Sequence, residues 1–244
     1  QNVHNENCGH CEFCLSGEYE KCNNRKVYTW KGGDYTHPGA YSQYTTWFPQ
    51  SIFKLPDGIS LEEGALIEPF AVGLHAVVIT EIKPGDKVLI LGGGIIGLAV
   101  SEWAKMYGAS LIAMTEMNKE KIKKIKEFGI VDSVVEADAV DIDNQLQSIS
   151  DGGFDVVFDC AGFASAINTG INALKKEMFK KFTALALPHG DVLVNYKDIV
   201  LRQINFKGSK GHVYEEFKTV ARTVSNGNMN LKKYISREIN FNEL

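Results

Sequence analysis

Four of the chain's five cysteines lie within the first 22 residues, spaced Cys8-x2-Cys11-x2-Cys14-x7-Cys22. A thiolate is a soft, charged ligand, and four on one short loop can close a tetrahedron around Zn2+. Such a site has no open position, so it folds the chain around it and does no chemistry. Gly9 and Gly17 suit the tight turns this would need. The odd total and the clustering argue against a disulfide framework and for metal binding in a reducing compartment. A redox pair is a weaker alternative, because such motifs use two cysteines at a helix start. His4 and His10 flank the cluster and read as exposed bystanders, and Cys160 reads as a small buried apolar residue.

A second chemical signal follows at Gly92-Gly93-Gly94-Ile95-Ile96-Gly97. Gly92, Gly94 and Gly97 fit G-x-G-x-x-G, with Ile96 between the last two glycines. The apolar run Lys87 to Leu91 before it predicts a buried parallel strand, and Leu98 to Met106 after it predicts a helix. In that setting the glycines let the backbone approach a pyrophosphate, and the helix start offers free N–H groups. A second strand, Ser110 to Thr115, leads to Glu116, 19 residues after Gly97. An acid there binds the adenosine ribose hydroxyls and repels a 2′-phosphate, which favours NAD over NADP. Lys119 and Lys121 stand nearby at the start of a helix predicted over Lys119 to Phe128.

The elements that must carry these groups alternate. Strands are predicted at Val131 to Glu136, Phe154 to Cys160, Phe182 to Leu187 and Gln203 to Gly208, with helices at Ala164 to Leu174 and Tyr214 to Val224. Six strands alternating with helices indicate an α/β, doubly wound parallel sheet of the Rossmann type. The stretch Lys175 to Phe182, KKEMFKKF, lacks the Pro or Gly of a turn, so either the helix runs on or residues are missing there. Asp138, Asp141 and Asp143 read as surface, Glu62 and Glu63 as solvated helix-start acids, and His75 as a satisfied histidine near the core. His189 and His212 read as loop histidines with no chemical role. The net charge of −4 leaves no basic footprint for nucleic acid. The apolar stretch Val88 to Val100 is too short and too glycine-rich to span a membrane. No signal peptide is visible, and both ends read as interior to a longer chain.

The cysteine cluster, GAYSQY at Gly39 to Tyr44 and FKLPDGISLEEGALIEPFAVGLHAV at Phe53 to Val77 resemble the zinc-containing medium-chain dehydrogenases, in their sorbitol and threonine dehydrogenase branch. The resemblance implies a structural zinc on Cys8, Cys11, Cys14 and Cys22, within part of a β-rich, GroES-like catalytic domain. It also implies a catalytic zinc that polarises the substrate oxygen while hydride passes to the nicotinamide. Glu68, in Ile67-Glu68-Pro69, matches a position where the family places a ligand cysteine or a glutamate, so that it would bind that zinc directly or support a group that does; most other ligands of the pattern lie outside this sequence. Without that role, Glu68 reads as an acid near a helix start, with Pro69 at the first helical position. Lys121 falls where the family carries a basic residue over the adenosine, and Leu185 to Leu187 and Ser209 to Gly211 where backbone flanks the nicotinamide.

The expected organisation is a partial catalytic domain over residues 1–77, an NAD-binding domain over 78–217, and a closing helix and return over 218–244. The expected activity is hydride transfer between NAD and a secondary alcohol: a polyol, sugar or hydroxy amino acid. A cytoplasmic homodimer or homotetramer without membrane or nucleic-acid partners is implied. Two rivals remain: a zinc-independent quinone or enone reductase, against which the cysteines and Glu116 count, and a non-catalytic dinucleotide-binding scaffold with structural zinc alone.

Overall fold

In the computed structural model, residues 5–18, 21–24, 26–27, 43–44, 52–188 and 190–243 are described. His4, His189 and residues 39–42 of the GAYSQY segment lie outside them. The cysteine lobe opens the chain. Strands β1 (Asn5–Glu6) and β2 (Lys26–Val27) pair antiparallel and bracket a helical turn, α1 (Glu12–Leu15).

Helix α2 (Leu61–Thr80) comes next. Its start is a capping box: the Ser60 hydroxyl accepts from the Glu63 N–H at 3.3 Å, and Glu63 Oε2 accepts from the Ser60 N–H at 3.1 Å. Glu63 is therefore buried and bonded rather than solvated, whereas Glu62 is exposed as expected. This start also overturns the placing of Glu68 near a helix N-terminus. Glu68 and Pro69 lie mid-helix, where proline has no N–H to give the Ala65 carbonyl. At 20 residues α2 is long and apolar enough to cross a membrane, unlike the shorter stretch singled out from sequence. Ile67, Phe70, Ala71, Leu74 and Val77 on it are instead buried in the protein core.

The sheet is built from β3 (Lys87–Leu91), β4 (Leu111–Glu116), β5 (Ser133–Glu136), β6 (Val156–Asp159), β7 (Lys181–Ala184) and β8 (Asn205–Gly208). All neighbours are parallel, in the order β5-β4-β3-β6-β7-β8. The helices are α3 (Ile95–Met106), α4 (Lys119–Phe128), α5 (Ile142–Ser150), α6 (Ala164–Ala173), α7 (Tyr196–Leu201) and α8 (Tyr214–Ser225). Alternation along β3 divides the core. Val88 and Ile90 face the cluster made with α2, α3 and α8, and Leu89 and Leu91 face the one made with α5 and α6. The boundary expected near residue 77 falls inside α2, and the one near 217 inside α8.

The predicted elements stand with shifted ends. The glycine-turn helix begins at Ile95, and β7 ends at Ala184, because the next two N–H groups, of Leu185 and Ala186, turn to the Asp159 carbonyl. The KKEMFKKF segment is not a longer helix. Helix α6 stops at Ala173, and Phe179 takes the left-handed conformation (φ 66°) in which a glycine would be at ease. Asp155 ties this turn down: Lys175 Nζ donates to both its carboxylate oxygens at 2.8 Å, Lys180 Nζ to Oδ1 at 3.0 Å, and the Lys87 N–H to Oδ2 at 3.1 Å. Buried Arg202 donates to the carbonyls of Ile171, Leu174 and Lys175 at the end of α6.

Burial alone would raise the Asp155 pKa, but the bonds from Lys175, Lys87 and Lys180 outweigh it and hold the carboxyl below its ordinary value. A depressed carboxyl stabilises the fold above its unfolded-state pKa and loses that contribution as pH falls through the folded-state one. Asp155→Asn is expected to lower stability at pH 7 by about 1–3 kcal/mol. The gap from the unaltered protein should close as thermal melts are taken from about pH 4 downward.

Candidate functional sites: a thiolate lobe and a dinucleotide turn

The four predicted cysteine ligands converge. Their sulfurs all lie within 4.8 Å of one another, with Cys8–Cys14 at 3.9 Å, Cys11–Cys22 at 3.8 Å and Cys8–Cys22 at 3.7 Å. Tetrahedral zinc with bonds of about 2.3 Å needs sulfur edges of about 3.8 Å, so the sulfur positions fit that ion. Gly9 and Gly17 both take positive φ where the chain wraps the cluster. The His10 backbone N–H, with help from that of Cys11, holds the Cys8 thiol down to about 6, while desolvation pushes Cys14 up to about 12. A divalent cation would draw all four to thiolates. His10 is exposed and turned to the Cys8 carbonyl at 2.8 Å, away from the ligand set.

The glycine turn stands at the carboxyl end of β3. Gly92 has φ 97°, and its N–H donates to the Thr115 carbonyl at 2.9 Å. A β-carbon on Gly97 would lie 2.0 Å from the Gly92 carbonyl oxygen, so only glycine lets α3 start against the turn it leaves. Gly94 is the N-cap of α3 and no side chain caps that helix, which leaves the first-turn N–H groups, including that of Ile96, facing the mouth of the turn.

Glu116, the last residue of β4, reaches this turn. Its Oε2 accepts from the Gly93 N–H at 3.0 Å, and its Oε1 accepts from the Met117 and Asn118 N–H groups at 2.9 Å each. Gly92, Gly94, Ile96, Gly97 and Glu116 are thus brought together. Lys121 sits in the first turn of α4, with its N–H on the Asn118 cap at 3.0 Å and its side chain exposed.

Glu68 lies apart from both groups, on α2, with its side chain 55% exposed. His212 meets it: Nε2 stands 3.8 Å from Glu68 Oε1 and the imidazole is 1% exposed. His212 is on a loop, as expected, but its ring is buried, a fact that a lone histidine in a polar stretch does not signal. Two turns along α2, His75 Nδ1 lies 3.0 Å from both carboxylate oxygens of Glu216, which also accepts the Val213 N–H at 2.7 Å. This is the satisfied histidine expected there. Cys160 packs against the core, partly rather than fully buried, with its thiol pushed up by desolvation, and Asp138, Asp141 and Asp143 are exposed as expected. Sequence reasoning passed over Asp159, which is 1% exposed at the end of β6. The available signal was an acid closing the otherwise apolar run VVFD.

Such a sheet, with an acid clamped to a glycine turn at its switch point, defines a dinucleotide-binding protein, here carrying a four-thiolate lobe. The zinc-binding dehydrogenase family pattern matches residues 96–226. The chain belongs to the zinc-binding, medium-chain dehydrogenases. A sorbitol dehydrogenase of Halalkalibacterium halodurans is 30% identical over 239 residues, covering 97% of this chain and 67% of that protein. An L-idonate 5-dehydrogenase of Vitis vinifera is 32% identical over 206 residues, covering 82% of this chain and 54% of that one. Among solved structures, a Sinorhizobium meliloti 1021 protein assigned to the zinc-binding dehydrogenases and bound to NADP superposes with a TM-score of 0.82 at 28% identity, covering 98% of this chain and 69% of that one. The 2R,3R-butanediol dehydrogenase of Bacillus subtilis gives 0.77 at 27% identity, covering 94% and 62%. The chain therefore spans about half to two thirds of the curated relatives compared here.

Because the four sulfurs share one short loop, Cys22→Ser is expected to release the ion of the lobe. A chelator-indicator titration should then read about one zinc fewer per chain. Dinucleotide binding, followed by NADH fluorescence, should survive. Gly97→Ala should do the reverse, abolishing NADH binding while the zinc of the lobe is retained.

Proposed function

We propose that this chain is the larger part of a zinc- and NAD-dependent dehydrogenase that oxidises a secondary alcohol, a polyol, sugar or hydroxy amino acid, to a ketone. The observation that carries it is the Glu116 carboxylate held against the glycine turn where the adenosine ribose would lie. That fixed negative charge accepts ribose hydroxyls and opposes a 2′-phosphate, which supports NAD over NADP. Lys121 is the proposed basic neighbour of the adenosine. The named dehydrogenase relatives support the alcohol substrate class.

Two zinc ions are proposed, in different standing. Cys8, Cys11, Cys14 and Cys22 would hold the structural ion, and among the described residues they are the only group that converges as a metal site. Glu68 brings one carboxylate, which is not a site by itself. It would bind a catalytic ion, or orient a group that does, only with ligands from beyond the described residues. A bound nicotinamide supplies the hydride acceptor. What this chain supplies is the position of the ring and the exclusion of water around it. The division into a partial catalytic domain with its zinc lobe, a nucleotide-binding domain and a closing segment belongs to the same proposal. So does assembly as a cytoplasmic homodimer or homotetramer without nucleic-acid or membrane partners.

The test is zinc per chain on the complete polypeptide, paired with NAD+ and NADP+ reduction against polyols and secondary alcohols. Two zincs, turnover and a preference for NAD+ of roughly tenfold or more are expected. One zinc without turnover on any alcohol would sink the dehydrogenase and leave a dinucleotide-binding scaffold.

A further inference from the structure

Asp159 closes β6, in register with Leu91 of β3 and Ala184 of β7. This is where the sheet reverses: β4 and β5 lie to one side of β3, and β6, β7 and β8 to the other. In open α/β sheets the ligand crevice lies at the carboxyl ends of the strands at that reversal. From there Asp159 holds two loops at once. Its Oδ1 accepts from the Ala161 N–H at 3.0 Å and the Gly162 N–H at 2.9 Å, fixing the chain that leaves β6. Its backbone carbonyl accepts from the Leu185 N–H at 2.9 Å and the Ala186 N–H at 3.1 Å, fixing the chain that leaves β7.

These loops are in contact with the glycine turn and with each other. A β-carbon on Gly92 would stand 3.1 Å from the Cys160 carbonyl oxygen, and one on Gly162 would stand 3.0 Å from Ala186 Cβ. The Cys160 N–H is itself bonded to the Leu91 carbonyl at 2.8 Å, one residue before the turn. We infer that Asp159 is a positioning residue for the cofactor: its side chain sets the loop that backs the pyrophosphate turn, and through the contact of Gly162 with Ala186 that loop in turn steadies the one that flanks the nicotinamide. Its effect on binding rests on the nicotinamide reading proposed above.

The carboxyl has the character such a role needs. Asp159 Oδ2 is buried and has no hydrogen-bond partner among the described residues. Leaving a charged oxygen in that state is far more costly than leaving a neutral one. Burial pushes the group above its ordinary value, against the pull of the Gly162 and Ala161 N–H groups. Asparagine, with the same shape and an intact Oδ1 acceptor, should therefore replace the acid well.

The experiment compares Asp159→Ala, Asp159→Asn and Leu146→Ala in the complete polypeptide, the last being a core truncation in α5, outside β6, β7 and the loops that leave them, that lowers stability. NADH affinity is read by fluorescence and the protection of the Ala161 and Gly162 amides by hydrogen exchange. Asp159→Ala is expected to weaken NADH binding roughly tenfold, since a buried and a partly buried donor lose their acceptor, and to speed exchange at both amides. Asp159→Asn should stay within about threefold of the unaltered protein. Leu146→Ala should lower the melting temperature and leave NADH affinity alone. Unchanged affinity in Asp159→Ala would overturn the inference, as would an Asp159→Asn variant that fell equally far or a Leu146→Ala variant that lost as much affinity. If the unaltered protein bound neither NADH nor NADPH, the cofactor reading would fail instead. The exchange arm would then decide, with unchanged protection in Asp159→Ala overturning the positioning role.

Discussion

No β-carbon fits between Gly97 and the Gly92 carbonyl, and the rest of the nucleotide-binding half depends on that closeness. It lets α3 leave the end of β3 at once and pack back along the sheet. Trp103 on α3 can then donate from its indole N–H to the Phe70 carbonyl at 2.9 Å, fastening α2 to the same layer. Helix α2 is in turn tied to the far strands. The Thr80 and Thr183 hydroxyls are 2.7 Å apart, and Lys207 of β8 donates to the Ile79 carbonyl at 2.8 Å. One tight glycine contact thus supports a layer that reaches from the centre of the sheet to its edge.

Much of this was legible in the sequence because it is local. An apolar run, three spaced glycines and an acid 19 residues on are neighbours in the chain, and each has one physical reason for its residue type. The thiolate lobe was legible for the same cause, since its four ligands fall within 15 residues. What escaped was a local capping box that the sequence does carry, and several contacts between distant partners. The start of α2 is set by Ser60 and Glu63, which read as ordinary polar residues until the box closes. The burial of His212 comes from packing against Phe217 on α8, with ring centroids 5.8 Å apart, and against Glu68, 144 positions earlier in the chain. The turn before β7 has no turn residues, because lysines bound to Asp155 and a left-handed Phe179 do the work that glycine usually does.

Helix α2 shows how composition can mislead. A long apolar helix suits a bilayer and a protein interior equally well, and only its neighbours separate the two. Here the polar groups it carries in its interior are spent on partners: His75 on Glu216, Thr80 on Ala76 and Thr183. Glu68 is the one that stays largely open to solvent. That suits a residue whose proposed role faces a cleft.

The Glu116 carboxylate has both oxygens committed to backbone donors, and one of those donors belongs to the glycine turn. Its charge cannot rotate out of the way of a phosphorylated ribose, and it cannot be deleted without freeing the Gly93 N–H. On the NAD reading proposed above, a change to NADP would call for substitutions that rebuild the turn while they remove the acid. On the same reading, the clamp ties coenzyme choice to the geometry of the glycine turn itself.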